Sequence, residues 1–245
     1  MAELRRRIVI VGGTSGIAEA CARLWAERGG ADFALLGRSS EGLAAIAADL
    51  RVRDPAAQVD VVTADLADPE TVDATASRFA DAGVVLIAFG ALPGQAGLQA
   101  DTRALAESLH LNAVAPVLWA EAFARAAGNR TCRIAVIGSV AGDRGRKTNY
   151  AYGAAKSLLA TYVEGMQHRF PAGPVIPVIV KPGPTATAMT RHLPPAKLAP
   201  VAEVAALVVA GIEKGSPVIY APAKWRIIMA VLRHMPRFVF NRLDI

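Results

Sequence analysis

Arg7-Ile-Val-Ile-Val-Gly-Gly-Thr-Ser-Gly-Ile-Ala18 changes character twice, from a β-branched apolar run to a glycine turn and then to the amphipathic stretch Glu19 to Arg28. A short run of this kind bounded by glycine predicts a buried strand, and the following periodicity predicts a helix. Strand, glycine turn and helix together form a cradle for a dinucleotide. Gly12 permits the tight turn, and Gly16 lets the backbone approach a pyrophosphate whose charge is met by the free N–H groups of the helix start. Thr14, Ser15 and Ile17 complete the contacts expected there. Ala18 stands where a third glycine often packs the helix against its strand.

Outward from this unit the pattern repeats. Further strands are predicted at Asp32–Leu36, Gln58–Thr63, Val84–Ala88, Arg133–Gly138, Val175–Val180 and Val218–Tyr220, with helical patterns between them. Short β-branched runs alternating with longer helices imply a parallel sheet covered on both faces. The expected fold is α/β, a single-domain, Rossmann-type, doubly wound parallel sheet of about seven strands spanning 1–245. Its ligand crevice should lie at the carboxyl ends of the strands. The 245 residues, 53% hydrophobic and 20% charged, suffice for one large core. Only Cys21 and Cys132 are present, too few for a disulfide framework, so reduced thiols are expected. Met1 to Arg7 runs straight into the first strand, so no signal peptide is expected, and no apolar run reaches the roughly 18 residues of a membrane span.

Chemistry enters with Tyr152-Gly-Ala-Ala-Lys156 and with Ser139, at the end of the apolar run that starts at Ile134. On a helix, residues four apart share a face, so the Lys156 ammonium is expected beside the Tyr152 phenol, lowering its pKa from about 10 toward neutrality. Tyr152 is then a general acid for ketone reduction, and Ser139 a hydrogen-bond donor to the carbonyl oxygen. Tyr150 is followed four residues later by Ala154, so no lysine supports it.

The chain resembles the short-chain dehydrogenase/reductase family over nearly its whole length. The motifs that carry the likeness are Gly12 with Gly16, Asp65 in Ala-Asp-Leu, Ala88-Phe-Gly90, Asn112, Ser139, Tyr152 with Lys156, and Pro182-Gly-Pro-Thr-Ala-Thr187. Ala18 replaces a glycine, and Ala-Phe-Gly replaces the usual Asn-Asn-Ala-Gly strand end. The resemblance implies a catalytic set of Asn112, Ser139, Tyr152 and Lys156, with Asn112 holding a water that links Lys156 to solvent. It implies that Lys156 binds the nicotinamide ribose, Asp65 and Leu66 contact the adenine, and Thr185 and Thr187 bracket the nicotinamide end. Gly90, Pro182 and Gly183 join the cofactor contacts, and 182–200 forms part of a substrate lid. It also implies a dimer or tetramer formed through the helices that carry Tyr152 and Asn112.

Within that family, Gly142-Asp-Arg-Gly-Arg-Lys-Thr-Asn-Tyr150 and the segment from Ala221 to Pro236 resemble the reductase subunits of decaprenylphosphoryl-β-D-ribose 2′-epimerases. The implied substrate is the 2-keto group of a polyprenyl-phosphate pentose, a cell-wall precursor. The implied partner is a flavin (FAD)-dependent oxidase. Two other readings stand beside it: a reductase of another carbonyl compound, such as an acyl-carrier thioester, a steroid or a small ketone, and a sensor that binds NADPH without turnover.

Leu36-Gly-Arg38-Ser-Ser40 offers no carboxylate for both ribose hydroxyls, whereas Arg38 suits a 2′-phosphate. NADP(H) is favoured and NAD(H) remains open, as does a merely solvated Arg38. Arg144, Arg146 and Lys147 lie between Ser139 and Tyr152, where they either read a substrate phosphate or form a solvated basic loop. The tail 221–245 mixes arginines with large apolar residues, which suits a helix on a membrane surface, a pocket wall or a subunit contact. His110, His168, His192 and His234 show no metal spacing, so no metal is assigned. A net charge of +6 without a basic stripe or reader motif argues for phosphate or anionic lipid rather than nucleic acid. The expected location is the cytoplasm, with association at the inner face of the membrane left open.

Overall fold

The protein is described here by a computed structural model covering residues 5–243. Met1 to Leu4, on which the signal-peptide expectation partly rests, and the last two residues of the tail lie outside the described residues. The chain alternates from β1 (Arg6–Val11) through α1 (Gly16–Arg28), β2 (Ala31–Gly37), α2 (Ser40–Arg53), β3 (Val59–Thr63) and α3 (Pro69–Arg78) to β4 (Val84–Ile87). Then come α4 (Gln95–Ala100), α5 (Thr102–Leu109), α6 (Ala115–Ala127), β5 (Cys132–Ile137), α7 (Tyr150–Arg169), β6 (Val175–Pro182), α8 (Val201–Lys214) and β7 (Val218–Ala221), with α9 (Lys224–His234) and α10 (Arg237–Phe240) closing the chain.

All seven strands lie in one sheet of order β3-β2-β1-β4-β5-β6-β7, and every pairing is parallel. The strand alternation explains the two-sided core. Ile8 and Ile10 pack with Trp25 of α1, Leu43 of α2 and Val208 of α8. Their neighbours Val9 and Val11 point to the other face, among Val72 of α3, Trp119 and Phe123 of α6 and Leu159 of α7. Successive residues of a strand face opposite ways, so a strand buried on both faces must be apolar throughout, as β1 is. Ala18 is fully buried in the first of these layers, where a small side chain lets α1 sit close to the sheet.

The chain leaves β1 toward β2 and β3, then returns to place β4 on the other side of β1. That reversal opens a crevice at the carboxyl ends of β1 and β4. Around it stand Gly12 after β1, Ala88 to Gly90 after β4, Ser139 after β5 and Pro182 at the end of β6.

Two segments depart from regular structure. A π-helical turn, His110–Val114, joins α5 to α6, so Asn112 lies in a widened turn rather than in an ordinary helix interior. Residues 182–200 hold two short 3₁₀ turns, Ala188–Thr190 and Pro195–Lys197, and a parallel bridge pairs Thr185 with Ala199. Among the described residues, no helix is long and apolar enough to cross a membrane. Cys21 and Cys132 are buried free thiols, and burial pushes both up to about 12.

Candidate active site

A cleft of about 680 Å³ fills the crevice. Its walls include Gly12, Thr14, Ser15, Gly16, Ile17, Arg38, Asp65, Leu66 and Gly90 on the β1–β4 side. Asn112, Ser139, Tyr152, Lys156, Pro182, Gly183, Thr185 and Thr187 complete it. Every residue expected to carry catalysis or hold the cofactor therefore lines one space.

The glycine turn fits a dinucleotide on its own geometry. Gly12 adopts φ +97, and a Cβ there would stand 2.9 Å from the Ala88 carbonyl carbon and from Phe89 Cβ. Only glycine combines that conformation with that approach. Ser15, the residue before α1, makes no side-chain cap and so leaves the first N–H groups of the helix unclaimed by its hydroxyl, where Ser15, Gly16 and Ile17 line the cleft. Arg38 is exposed at the rim, just past β2. Asp65 lines the cleft while its Oδ1 accepts from the Ala67 N–H at 3.0 Å, so the turn aspartate and the pocket aspartate are one residue. Leu66 is buried beside it.

On the opposite wall, Lys156 lies under Tyr152 as the four-residue spacing requires, with Nζ 5.6 Å from the ring centroid. Its ammonium donates to the Ile137 carbonyl at 3.0 Å. Burial lowers the Lys156 pKa to about 8. The phenol behaves differently from the sequence expectation. Burial raises Tyr152 to about 12, and a hydrogen bond from Ser139 works against that rise without overcoming it. Lys156, itself desolvated and donating to the Ile137 carbonyl, does not overcome that rise. The phenol is thus protonated at neutral pH and able to donate.

Asn112 is fully buried and braces the site. Its Oδ1 accepts from Ala91 N–H at 3.0 Å, and its Nδ2 donates to Ser108 O at 2.9 Å. Gly90 sits at φ +154, where a Cβ would lie 2.6 Å from Asn112 Oδ1, so glycine is required to bring this strand end against the π turn. Sequence reasoning missed that turn, because its i→i+5 bonding has no composition signal. Ser139 caps the 3₁₀ turn Val140–Asp143 by accepting from Ala141 N–H at 3.1 Å. Thr185 is buried, its hydroxyl donating to Gly183 O at 2.9 Å, and Thr187 is half-buried.

Of the three basic residues expected at the mouth, the structure brings only Arg146 into the cleft. Arg144 instead anchors the tail. Its guanidinium donates to the carbonyls of Leu232 and, at 2.8 Å, of Met235, and lies 3.9 Å from the Phe240 ring centroid. Those carbonyls are the open end of α9, where a cation is favoured. Lys147 is exposed and lies outside the cleft wall. Asp143, which the sequence analysis did not single out, is the anchor of the Ser139 loop. It pairs with Lys181 Nζ at 2.5 Å and accepts from the Tyr220 hydroxyl at 2.8 Å. Tyr150 is exposed and bonded to Gln99 at 2.8 Å, away from this chemistry. The rings of His110 and His234 bond to the carbonyls of Ala67 and Ala230.

A dinucleotide cradle facing a Ser–Tyr–Lys wall across one cleft defines an oxidoreductase. The short chain dehydrogenase family profile matches residues 6–198, and the chain belongs to that family. An uncharacterized oxidoreductase of Streptomyces coelicolor is 30% identical over 244 residues, covering 97% of this chain and 96% of its own. One of Mycobacterium tuberculosis (strain ATCC 25618 / H37Rv) is 32% identical over 246 residues, 96% of each chain. Among solved structures, a short chain dehydrogenase from Burkholderia cenocepacia J2315 in complex with NADP superposes with a TM-score of 0.84 at 23% identity, covering 98% of both chains. One from Sphingobium yanoikuyae in complex with NADPH gives 0.81 at 23% identity, covering 95% of this chain and 97% of its own.

Proposed function

We propose that the protein reduces a ketone to a secondary alcohol with NADPH, reversibly, using Tyr152 as the proton donor. The observation that carries this reading is the convergence of Ser139, Tyr152 and Lys156 on one wall of the cleft that the Gly12 turn opens. When bound, the nicotinamide supplies hydride to the carbonyl carbon. Negative charge then grows on the carbonyl oxygen, and Ser139 and the protonated Tyr152 phenol are the groups that meet it. Lys156 is the cation under the phenol, placed to favour the phenolate left after proton transfer and to bind the ribose. Asn112 keeps the Ala91 strand end and the π turn in register and, by family resemblance, serves the proton path from Lys156.

Preference for NADP(H) is supported by Arg38 at the rim after β2 and by the NADP and NADPH complexes of the similar structures. NAD(H) is the weaker alternative. Residues 182–200 act as the lid, a role supported by the cleft contacts of Thr187, Met189 and Leu193. An oligomer formed through α6 and α7 is supported by a groove lined by Glu121, Leu158, Tyr162 and Arg169, with Leu158 48% exposed.

The narrower reading is the 2-keto group of a polyprenyl-phosphate pentose, with a flavin oxidase as partner. It is supported by the resemblance of residues 142–150 and 221–236, by Arg146 in the cleft, and by a tail whose Ile227, Val231 and Phe238 are 72%, 59% and 69% exposed among arginines. Such a surface suits contact with an anionic membrane that carries the prenyl chain. NADPH oxidation with the lipid-linked keto-pentose beside short-chain ketones tests both levels. Turnover of the lipid-linked sugar supports the narrower reading, turnover only of other ketones leaves the reductase and removes the substrate, and tight NADPH binding without turnover makes the protein a sensor.

A further inference from the structure

Two side-chain atoms near the substrate end of the cleft are buried without a hydrogen-bond partner, Arg146 Nε and Asn149 Oδ1, and both residues line the cleft. One is a donor and the other an acceptor. They stand in the turn that leads into α7, with Asn149 immediately before the helix that carries Tyr152. A buried polar group left unmet is costly, so such groups in a native fold are generally completed by water, an ion or a ligand.

The surroundings narrow the choice. Among the described residues no carboxylate pairs with Arg146, and burial alone acts on its pKa, downward. Arg144 is committed to the tail, as described above. Arg38 stands at the rim just past β2, three strand spacings or about 14 Å across the sheet from β5, the strand that leads into the Arg146 segment. The cleft therefore holds Arg38 at its cofactor rim, Lys156 under Tyr152 with its ammonium on the Ile137 carbonyl, and Arg146 in the segment between Ser139 and Tyr152. The cleft that Arg146 lines also carries Val140, Met189 and Leu193, whose apolar surface would strengthen a charge-assisted hydrogen bond.

We propose that Arg146 and Asn149 form a specificity subsite. Arg146 Nε–H donates to an anionic oxygen of the substrate, a phosphate or carboxylate, and Asn149 Oδ1 accepts from a hydroxyl of the same molecule. The preferred substrate class is then a hydroxylated ketone bearing an anionic group close to the carbonyl. This rests on the ketone-reductase reading of Tyr152, and it asks of Arg146 a contact to substrate rather than a part in proton transfer.

Two measurements test it. The first compares kcat/KM for dihydroxyacetone phosphate against dihydroxyacetone, and for hydroxypyruvate against its methyl ester, in the wild type, Arg146→Met and Arg146→Lys. The anionic-to-neutral ratio should fall at least about tenfold in Arg146→Met, with partial rescue by Arg146→Lys, which restores a point charge without the fork. Whichever pair responds identifies phosphate or carboxylate as the favoured group. The second titrates the NADP-saturated protein with glycerol 3-phosphate and with glycerate by calorimetry. Binding should weaken at least about tenfold in Arg146→Met and in Asn149→Leu.

Turnover with a ratio that Arg146→Met leaves unmoved would overturn the subsite while sparing the reductase. Anion binding that depends on Arg146, without turnover of any ketone, would spare the subsite and overturn the reductase. Wild-type protein that binds neither anion and turns over neither charged ketone in preference to its neutral partner would overturn the subsite.

Discussion

Replacing Asp143 with alanine removes the carboxylate that accepts from both Lys181 and Tyr220. The Asp143 side chain is 2% exposed and that of Lys181 10%, and the two are joined at 2.5 Å. The Tyr220 hydroxyl donates to the second carboxylate oxygen at 2.8 Å. Removing one partner of a buried ion pair leaves the other charge desolvated, which typically costs about 3–5 kcal/mol. For a chain of this length, each kcal/mol shifts the thermal midpoint by roughly 2–4 °C, so a fall of about 6–20 °C is expected. Urea unfolding gives the free energy directly. The double change Asp143→Ala with Lys181→Met should recover most of the loss, since replacing both ions with apolar groups is often near neutral. The 3₁₀ turn that ends at Asp143 is capped by Ser139, so kcat should fall in the single variant as well. A cost below about 1 kcal/mol in Asp143→Ala, or a double variant no better than the single, would refute this account of the loop.

Arg38→Ala should raise the KM for NADPH by about ten- to a hundredfold while changing that for NADH little, because a charge-assisted contact to the 2′-phosphate is lost; steady-state kinetics with both cofactors checks it. Burial lowers Lys156 to about 8 from 10.5, so above about pH 8 its unfolded form binds more protons and stability should rise with pH, until about pH 9, where the buried Cys21 and Cys132 thiols, raised to about 12 from 9.0, begin to oppose it. Tyr152, raised to about 12 from 10.0, should make stability fall again over that higher range, because the unfolded phenol ionises first. Urea midpoints against pH should show the lower rise in wild type and not in Lys156→Met. Arg144→Ala should speed amide hydrogen exchange across residues 232–240 and leave the strands protected, since its bonds to Leu232 and Met235 tie the tail down.

The seven strands were legible in the sequence because a doubly covered parallel strand must be apolar throughout, and Ile8–Val11 or Ile134–Ile137 have no other economical reading. Their ends moved by a residue or two, as at β6, which runs on through Pro182. The cleft wall was legible for a related reason: Gly12, Ser139 and Pro182 each follow an apolar run, and the ends of parallel strands share one edge. What sequence spacing could not show was where long side chains go. Arg144 and Arg146 are two residues apart, yet one reaches the carbonyls closing α9 and the other enters the cleft, a choice made by the packing of a helix some 88 positions further on. The same limit hid Asp143, whose partners come from β6 and β7. It also misjudged Tyr152: four-residue spacing correctly placed Lys156 beneath the ring, but how far burial outweighs a neighbouring charge depends on everything packed around both.

In the proposed reaction, hydride and proton meet on one carbonyl in front of Tyr152. Reduction of a ketone with NADPH carrying deuterium at the nicotinamide C4, followed by mass spectrometry of the alcohol, tests it most directly. One deuterium on the carbinol carbon from a single face of the nicotinamide, lost in Tyr152→Phe although NADPH still binds, is the expected result. Full transfer by Tyr152→Phe, or product formed without the label, would contradict the assignment.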